Sequence, residues 1–93
     1  MVVMLLERVT PSLRGHLSRW LLEVKTGVFV GHVSGLVRDK LWELMTKNRK
    51  EGSVVQIWST NTPQGFAIRN EGDRDRVIVD FEGLQLEKRL VSR

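Results

Sequence analysis

The hydrophobic positions of the chain fall into short segments that alternate between strand-like and helix-like spacing. The first segment, Val2 to Leu6, is a continuous and partly β-branched apolar run, which predicts a strand covered on both faces. Thr10-Pro11 then predicts the start of a helix, because threonine caps helices and proline suits their first turn. The apolar residues that follow recur at helical spacing and predict a helix of about three turns: Leu13, Leu17 and Trp20.

A predicted hairpin and a second helix come next. Two short strands, 21–25 and 28–30, flank Thr26-Gly27, where glycine tolerates the positive φ of a tight turn. Ser34 is the predicted cap of a helix that runs to about Asn48. Its predicted apolar stripe consists of Val37, Leu41, Leu44 and Met45. The side chains predicted to face water are Arg38, Asp39, Lys40, Lys47 and Arg49.

The later segments complete a recognisable order of elements. Strands are predicted at 54–59 and 66–69, on either side of the turn-rich stretch 60–65. The order strand, helix, two strands, helix, strand predicts an α+β protein with a ferredoxin-like βαββαβ arrangement. Strand-like stretches at 77–81 and 84–90 lie beyond this unit. We therefore expect one domain, residues 1–93, with a C-terminal strand extension at 77–93 that suits pairing across a dimer or with a partner's sheet edge.

The three tryptophans lie within these predicted elements, which favours core packing over a role as interface anchors. They are Trp20, Trp42 and Trp58. A chain of 93 residues builds only a modest core, so association with a second copy is expected to add stability. The sequence therefore predicts a homodimer.

Composition narrows the partners. The formal net charge is +4, with a sequence pI near 10.1, a balance that favours an anionic partner such as nucleic acid or marks an ordinary basic surface. The chain has no cysteine, which excludes disulfides and thiolate chemistry. No apolar stretch suits a signal peptide or approaches the roughly 20 residues of a membrane span, so we expect a cytoplasmic protein without a membrane partner.

The candidate chemistry is sparse. Glu7 ends the first strand at the rim of the sheet, where two copies related by a twofold axis could bind a divalent metal such as Mg²⁺; a solvated acid or an ion pair with Arg8 is the simpler interpretation. Asp80 and Glu82 invite the same hypothesis less strongly. His16 and His32 lack the partners of a zinc site. No phosphate-binding glycine loop and no nucleophile elbow is present.

Basic residues form three groups, on the first helix, on the second helix and in the loop before the late strands. The predicted nucleic-acid ligands are Arg14, His16, Arg19, Arg38, Lys40, Arg74 and Arg76. Such groups can form a ridge that contacts phosphates without reading base sequence, although a solvated basic face has the same composition. No aromatic pattern typical of RNA recognition accompanies them.

The chain resembles the type I-E branch of the Cas2 family of CRISPR-associated proteins over nearly its whole length. The residues and segments that carry the resemblance are Glu7, Pro11 to Gly15, Trp20 to Val24, Gly27 to Gly31, Trp42-Glu43, Glu51 to Val55, Thr60 to Thr62, Gly65-Phe66, and Val79-Asp80 followed by Gly83-Leu84. It departs from these relatives at Arg8, Pro63 and Asp75.

The resemblance implies a ferredoxin-like homodimer that bridges CRISPR integrase subunits and holds double-stranded protospacer DNA while the integrase performs the transesterification. The wider family has also been assigned metal-dependent nuclease activity, with an acid at the position of Glu7 as metal ligand. Two functions therefore remain open: a non-catalytic DNA-binding scaffold, which we favour, and a Mg²⁺-dependent endonuclease acting on RNA or double-stranded DNA, with Glu7 at the dimer interface as catalytic residue and metal ligand.

Overall fold

The computed structural model describes residues 1–49, 52–72, 76–81 and 84–89, and after Gly72 the only side chain it describes is that of Gln85. Nine elements follow one another: β1 (Val2–Leu6), α1 (Pro11–Ser18), β2 (Leu22–Lys25), β3 (Val28–Gly31), α2 (Gly35–Asn48), β4 (Val54–Ser59), β5 (Phe66–Glu71), β6 (Arg76–Phe81) and β7 (Leu84–Arg89). This order confirms the predicted α+β, ferredoxin-like class.

The first five strands form one antiparallel sheet in the order β2-β3-β1-β4-β5. Strands β6 and β7 pair only with each other among the described strands, in a separate antiparallel hairpin. The two late strands were therefore correctly predicted. Their predicted pairing across a dimer or with a partner's sheet stays a prediction.

Local signals determine where the helices begin. Thr10 Oγ1 accepts a hydrogen bond from the Leu13 N–H at 3.2 Å, and Ser34 Oγ accepts one from the Val37 N–H at 3.2 Å. Each side chain satisfies one of the N–H groups that a first helical turn leaves unpaired. Both predicted caps are confirmed.

The first helix is shorter than predicted, and one tryptophan lies outside the core. Helix α1 ends at Ser18 after eight residues, and Leu17 O then accepts hydrogen bonds from the N–H groups of both Trp20 and Leu21. This tight turn carries Leu21 into the core, where it is 5% exposed, and leaves Trp20 50% exposed. Core packing of Trp20 was therefore a wrong prediction, whereas Trp42 and Trp58 are half-buried against the core.

The core lies between the sheet and the two helices. It consists of Val2, Met4, Leu13, Leu17, Leu21, Phe29, Leu41, Met45 and Val54. Because side chains alternate along a strand, the neighbours of Val2 and Met4 point to the other side of the sheet. We call this other side the open face; the sheet register places there Val3, Leu5, Leu22, Val28, Val30, Val55, Ile57 and Ile68.

One end of the sheet is closed by a tight turn. Gly27, between β2 and β3, has φ of 79°, and its carbonyl accepts a hydrogen bond from the Leu6 N–H at 2.8 Å. A Cβ at this position would lie 2.4 Å from Leu6 O, so both the backbone conformation and the space require glycine. The predicted turn at Thr26-Gly27 is confirmed, and it fixes the β2–β3 hairpin against β1.

Candidate nucleic-acid interface

The predicted basic ligands of the two helices lie on one side of the sheet, since α1 and α2 both pack against the same core. Arg19, at the end of α1, and Lys40, on α2, are exposed. Lys40 and Lys47 border a shallow depression of about 310 Å³ on α2, together with Glu43. The two lysines share this surface with only one carboxylate, so a cationic surface remains.

Arg14 is partly committed to its own domain. Its Nε donates to both carboxylate oxygens of Glu23, at 2.9 and 3.2 Å. The Gly27 N–H donates to the same carboxylate at 3.0 Å, and these contacts, Gly27 first, hold the pKa of Glu23 below its ordinary value. Glu23 therefore remains charged and offsets part of the Arg14 charge, although the guanidinium is still accessible to solvent.

His16 is exposed and borders an open cavity of about 360 Å³ between the helices. The cavity is also lined by Thr10 and Ser12 from the start of α1 and by Asn48 from the end of α2. Its polar lining suits water or a polar ligand group. The position agrees with the predicted contact to nucleic acid, which stays a prediction.

Arg38 does not face water freely, as the helical pattern had predicted. Its guanidinium lies 4.5 Å from the centre of the Trp58 ring, its Nε donates to Asp39 Oδ1 at 3.0 Å, and its side chain is 24% exposed. A cation stacked on an indole ring and paired with a carboxylate is much less available to a phosphate. The sheet approaches this side of α2 closely, and this tertiary contact is invisible in the helical period.

A second arginine, Arg69 on β5, completes this cluster and was not among the predicted site residues. Its guanidinium lies 4.8 Å from the Trp42 ring centre and 4.9 Å from that of Trp58, and its Nη2 donates to Asp39 Oδ1 at 2.9 Å. Arg38 and then Arg69 lower the pKa of Asp39. The one signal in the sequence was an arginine within an otherwise apolar strand, which indicates a specific partner.

The loop ahead of the late strands lies mostly outside the described residues. Arg74 falls in this undescribed stretch, and Arg76 belongs to β6, of which only the backbone is described. The same holds for the acid candidates Asp80 and Glu82. Their predicted roles stay predictions.

Glu7 has a clear structural partner. Its Oε1 accepts hydrogen bonds from the Ser53 N–H at 2.9 Å and from the Ser53 hydroxyl at 2.6 Å. The Ser53 hydroxyl first and its N–H second lower the pKa of Glu7, with a further contribution from the Arg8 charge. In return, the Glu7 N–H donates to Ser53 O at 3.1 Å. The carboxylate therefore ties the end of β1 to the residue that precedes β4.

This arrangement does not fit a metal site within one chain. Among the residues that the structure describes, no three histidine, cysteine or acidic side chains come close enough to hold a metal ion. One Glu7 oxygen already accepts two hydrogen bonds, and divalent cations such as Mg²⁺ require several oxygen ligands. The described part of the chain therefore provides no Mg²⁺ site, and we assign no chemical step to a metal.

The family of the chain follows from its sequence. The model of the family described as "CRISPR-associated protein (Cas_Cas2CT1978)" matches residues 1–86. The chain belongs to this family, which places it among the Cas2 proteins and supports a role in CRISPR adaptation. None of the helices in the described part of the chain is long and apolar enough to cross a membrane.

Proposed function

We propose that this protein is a DNA-binding scaffold subunit of a type I-E CRISPR spacer-acquisition complex. As a homodimer in the cytoplasm it bridges integrase subunits and holds a double-stranded protospacer. The integrase carries out the transesterification. Family membership supports the adaptation role, and the chain's own geometry favours a scaffold over a nuclease.

The observation that carries the choice is the Glu7–Ser53 contact. A carboxylate that waits for a metal is normally oriented by other groups but keeps its oxygens available to the ion. Here Oε1 accepts two hydrogen bonds from one residue, at 2.9 and 2.6 Å. We infer that Glu7 stabilises the fold and that no reaction depends on it.

The distribution of exposed cations supports contact with duplex DNA. Arg19 and Lys40 are exposed on two helices that share one side of the sheet. Side chains of this kind contact phosphates and fix a duplex without selecting a sequence. A protein that accepts protospacers of unrelated sequence requires that kind of binding.

The open face supports the homodimer. Its cross-strand neighbours are apolar, as in Val3 with Val30 and with Ile57. Neither helix covers it, because both pack on the other side of the sheet. An apolar sheet face of this extent marks an interaction surface in a soluble protein. A second copy that presents the same face would bury both.

The rival function is the Mg²⁺-dependent endonuclease. It retains one argument, because the second Glu7 oxygen takes no part in the Ser53 contacts and the residue is exposed. Two such oxygens could meet only across a dimer. The rival therefore requires both dimerisation and Glu7.

The deciding experiment compares wild-type protein with Glu7→Gln, which preserves the size of the side chain but removes its charge. Both proteins are incubated with Mg²⁺ and duplex DNA or RNA, and spacer insertion is measured with the integrase subunit of the same locus. A scaffold leaves nucleic acid intact and supports insertion in both forms. Cleavage that disappears in a folded Glu7→Gln protein, or loss of insertion in that protein, would establish the nuclease instead.

A further inference from the structure

Strand β2 is an edge strand with an apolar outer surface. Within the described residues it pairs only with β3, so its other edge carries no strand. Three large apolar side chains at alternate positions in and beside β2 are strongly exposed: Trp20 at 50%, Leu22 at 69% and Val24 at 57%. Their spacing matches the two-residue period of a strand.

The polar side chain of this strand points the other way. Glu23 lies between Leu22 and Val24, and its carboxylate is bound by Arg14 and by the Gly27 N–H. The strand therefore directs its charged group toward its own domain and its apolar groups outward. Solvent-exposed edge strands normally carry charges or proline that prevent pairing with another chain. The reversed pattern of β2 marks a surface that another chain covers.

The chain's own C-terminal hairpin is held elsewhere. The side-chain amide of Gln85 on β7 bonds to both backbone groups of Ile68 on β5, at 3.1 and 3.4 Å. Strand β5 forms the opposite edge of the sheet. In the single chain the β2 edge therefore remains available to a partner.

The charges at the two ends of this apolar strip define the partner's chemistry. Arg19 precedes Trp20, and Lys25 follows Val24; both are exposed. Neither has an acidic partner among the ion pairs formed by described residues. A complementary strand would carry apolar side chains at alternate positions and acidic side chains at its ends.

We propose that the free edge of β2 binds an extended segment of a partner protein by strand addition. The segment's main chain pairs with β2, its alternate apolar side chains pack on Trp20, Leu22 and Val24, and its acidic ends contact Arg19 and Lys25. This proposal rests on the proposed function for the choice of partner, which is the integrase subunit. The binding surface itself follows from the exposure and charge of β2.

The test uses the full-length chain with the double substitution Leu22→Thr and Val24→Thr. Threonine retains the β-branched shape that strands favour but removes most of the apolar contact, and it leaves the net charge unchanged. Binding of the purified integrase subunit is measured by titration calorimetry, and affinity should fall at least about tenfold, since buried apolar anchors dominate interface energies. Leu36→Gln is the matched control, because Leu36 is 68% exposed but lies on α2.

A second pair of substitutions tests the ends of the strip. Arg19→Glu with Lys25→Glu should weaken integrase binding, most clearly at low salt. The Leu22→Thr and Val24→Thr protein should show unchanged affinity for duplex DNA and unchanged sedimentation. A fall in its DNA affinity would make the strip a nucleic-acid site, and a fall in self-association would assign it to a second copy; either result overturns the proposal.

The proposal and the proposed function fail in different ways. If the wild-type chain binds the integrase and the threonine variant binds it equally well, the β2 assignment is overturned and the scaffold role stands. If the wild-type chain does not bind the integrase, the scaffold role fails and the assignment of this partner fails with it.

Discussion

Gln56 on β4 and Arg69 on β5 form a double hydrogen bond beneath helix α2. Gln56 Oε1 accepts from Arg69 Nε at 2.9 Å and from Arg69 Nη2 at 2.6 Å. Gln56 Nε2 donates to the backbone oxygen of Arg38 at 2.9 Å. The amide is fully buried, so this one side chain joins two strands to the helix through groups that water cannot reach.

Replacing Gln56 should therefore destabilise the fold. Gln56→Met retains the length of the side chain but leaves the Arg38 carbonyl and the Arg69 guanidinium without their buried partner. A buried polar group left unpaired costs about 1–3 kcal/mol, so urea unfolding should show a loss of about 2 kcal/mol or more. Asn61→Ala, at an exposed turn position, should change stability by less than about 0.5 kcal/mol. Equal midpoints for the two variants would show that the amide network adds nothing.

The Glu7–Ser53 contact should be visible in the acid titration of the protein. The folded-state pKa of Glu7 lies below its ordinary value of 4.5, chiefly because of the Ser53 hydroxyl. The stability that this contact contributes is therefore complete above about pH 4.5 and is lost as the pH falls through the folded-state pKa. Carbon-13 NMR of the carboxyl group should report the lowered pKa. Ser53→Ala should raise it, although the Ser53 N–H contact keeps it below the ordinary value. Identical titration curves would contradict the assignment.

Duplex affinity should depend on the exposed cations and much less on Arg38. Arg19→Ala with Lys40→Ala should reduce the slope of log K against log salt by about 0.9 per lost phosphate contact, or about 1.8 together, equally for two unrelated sequences. Arg38→Gln, a matched single-charge control, should change the slope less and lower stability instead, because Arg38 is stacked on Trp58 and paired with Asp39. An unchanged slope in the double variant would remove these two helix residues from the interface.

The fold could be predicted from the sequence because its signals are local. Caps at Thr10 and Ser34 and the glycine turn at Gly27 each act within a few residues, and the structure has all three. The end of α1 was missed for the same reason. The turn at Leu17 O depends on Leu21 reaching the core, and a helical period that counts Trp20 as apolar cannot distinguish the two.

The candidate site was less predictable because its contacts join distant parts of the chain. Glu7 and Ser53 are 46 residues apart, and Arg69 and Asp39 are 30 residues apart. A sequence pattern identifies each side chain as polar but does not identify its partner. The chemistry of Glu7 and the stacking of Arg38 are decided by that partner, so both needed the tertiary structure.

The open face should control self-association. Sedimentation equilibrium of the wild-type protein at micromolar concentration should give twice the chain mass of 10.7 kDa. Ile57→Asp places a charge in the middle of this face, where burial against a second copy would desolvate it, so the variant should sediment as a monomer. Circular dichroism should verify that it is folded. Leu36→Asp, on α2, serves as a control and should remain a dimer. A monomeric wild-type protein would contradict the homodimer.

The last prediction concerns the attachment of the β6–β7 hairpin. Gln85 Oε1 accepts from the Ile68 N–H at 3.1 Å, and Gln85 Nε2 donates to Ile68 O at 3.4 Å, so the side-chain amide occupies the place of a neighbouring strand. The Gln64 amide does the same to the Gln85 backbone, with its Nε2 donating to Gln85 O at 2.9 Å and its Oε1 accepting from the Gln85 N–H. Two side-chain amides therefore hold the hairpin to the sheet.

Removing one of these amides should release the hairpin without unfolding the domain. In Gln85→Ala the Ile68 amide loses its acceptor, so its hydrogen exchange should accelerate together with that of β6 and β7, while amides of β1 exchange as before. Gln85→Glu keeps an acceptor for the Ile68 N–H but sets a charged oxygen against Ile68 O, so its exchange should lie between the other two proteins. Unchanged protection of Ile68 in Gln85→Ala would mean that other contacts hold the hairpin. Because deletion of residues 84–93 removes the whole strand, a larger loss of dimer or integrase binding in that deletion than in Gln85→Ala would separate a role of the strand itself from a role of its attachment.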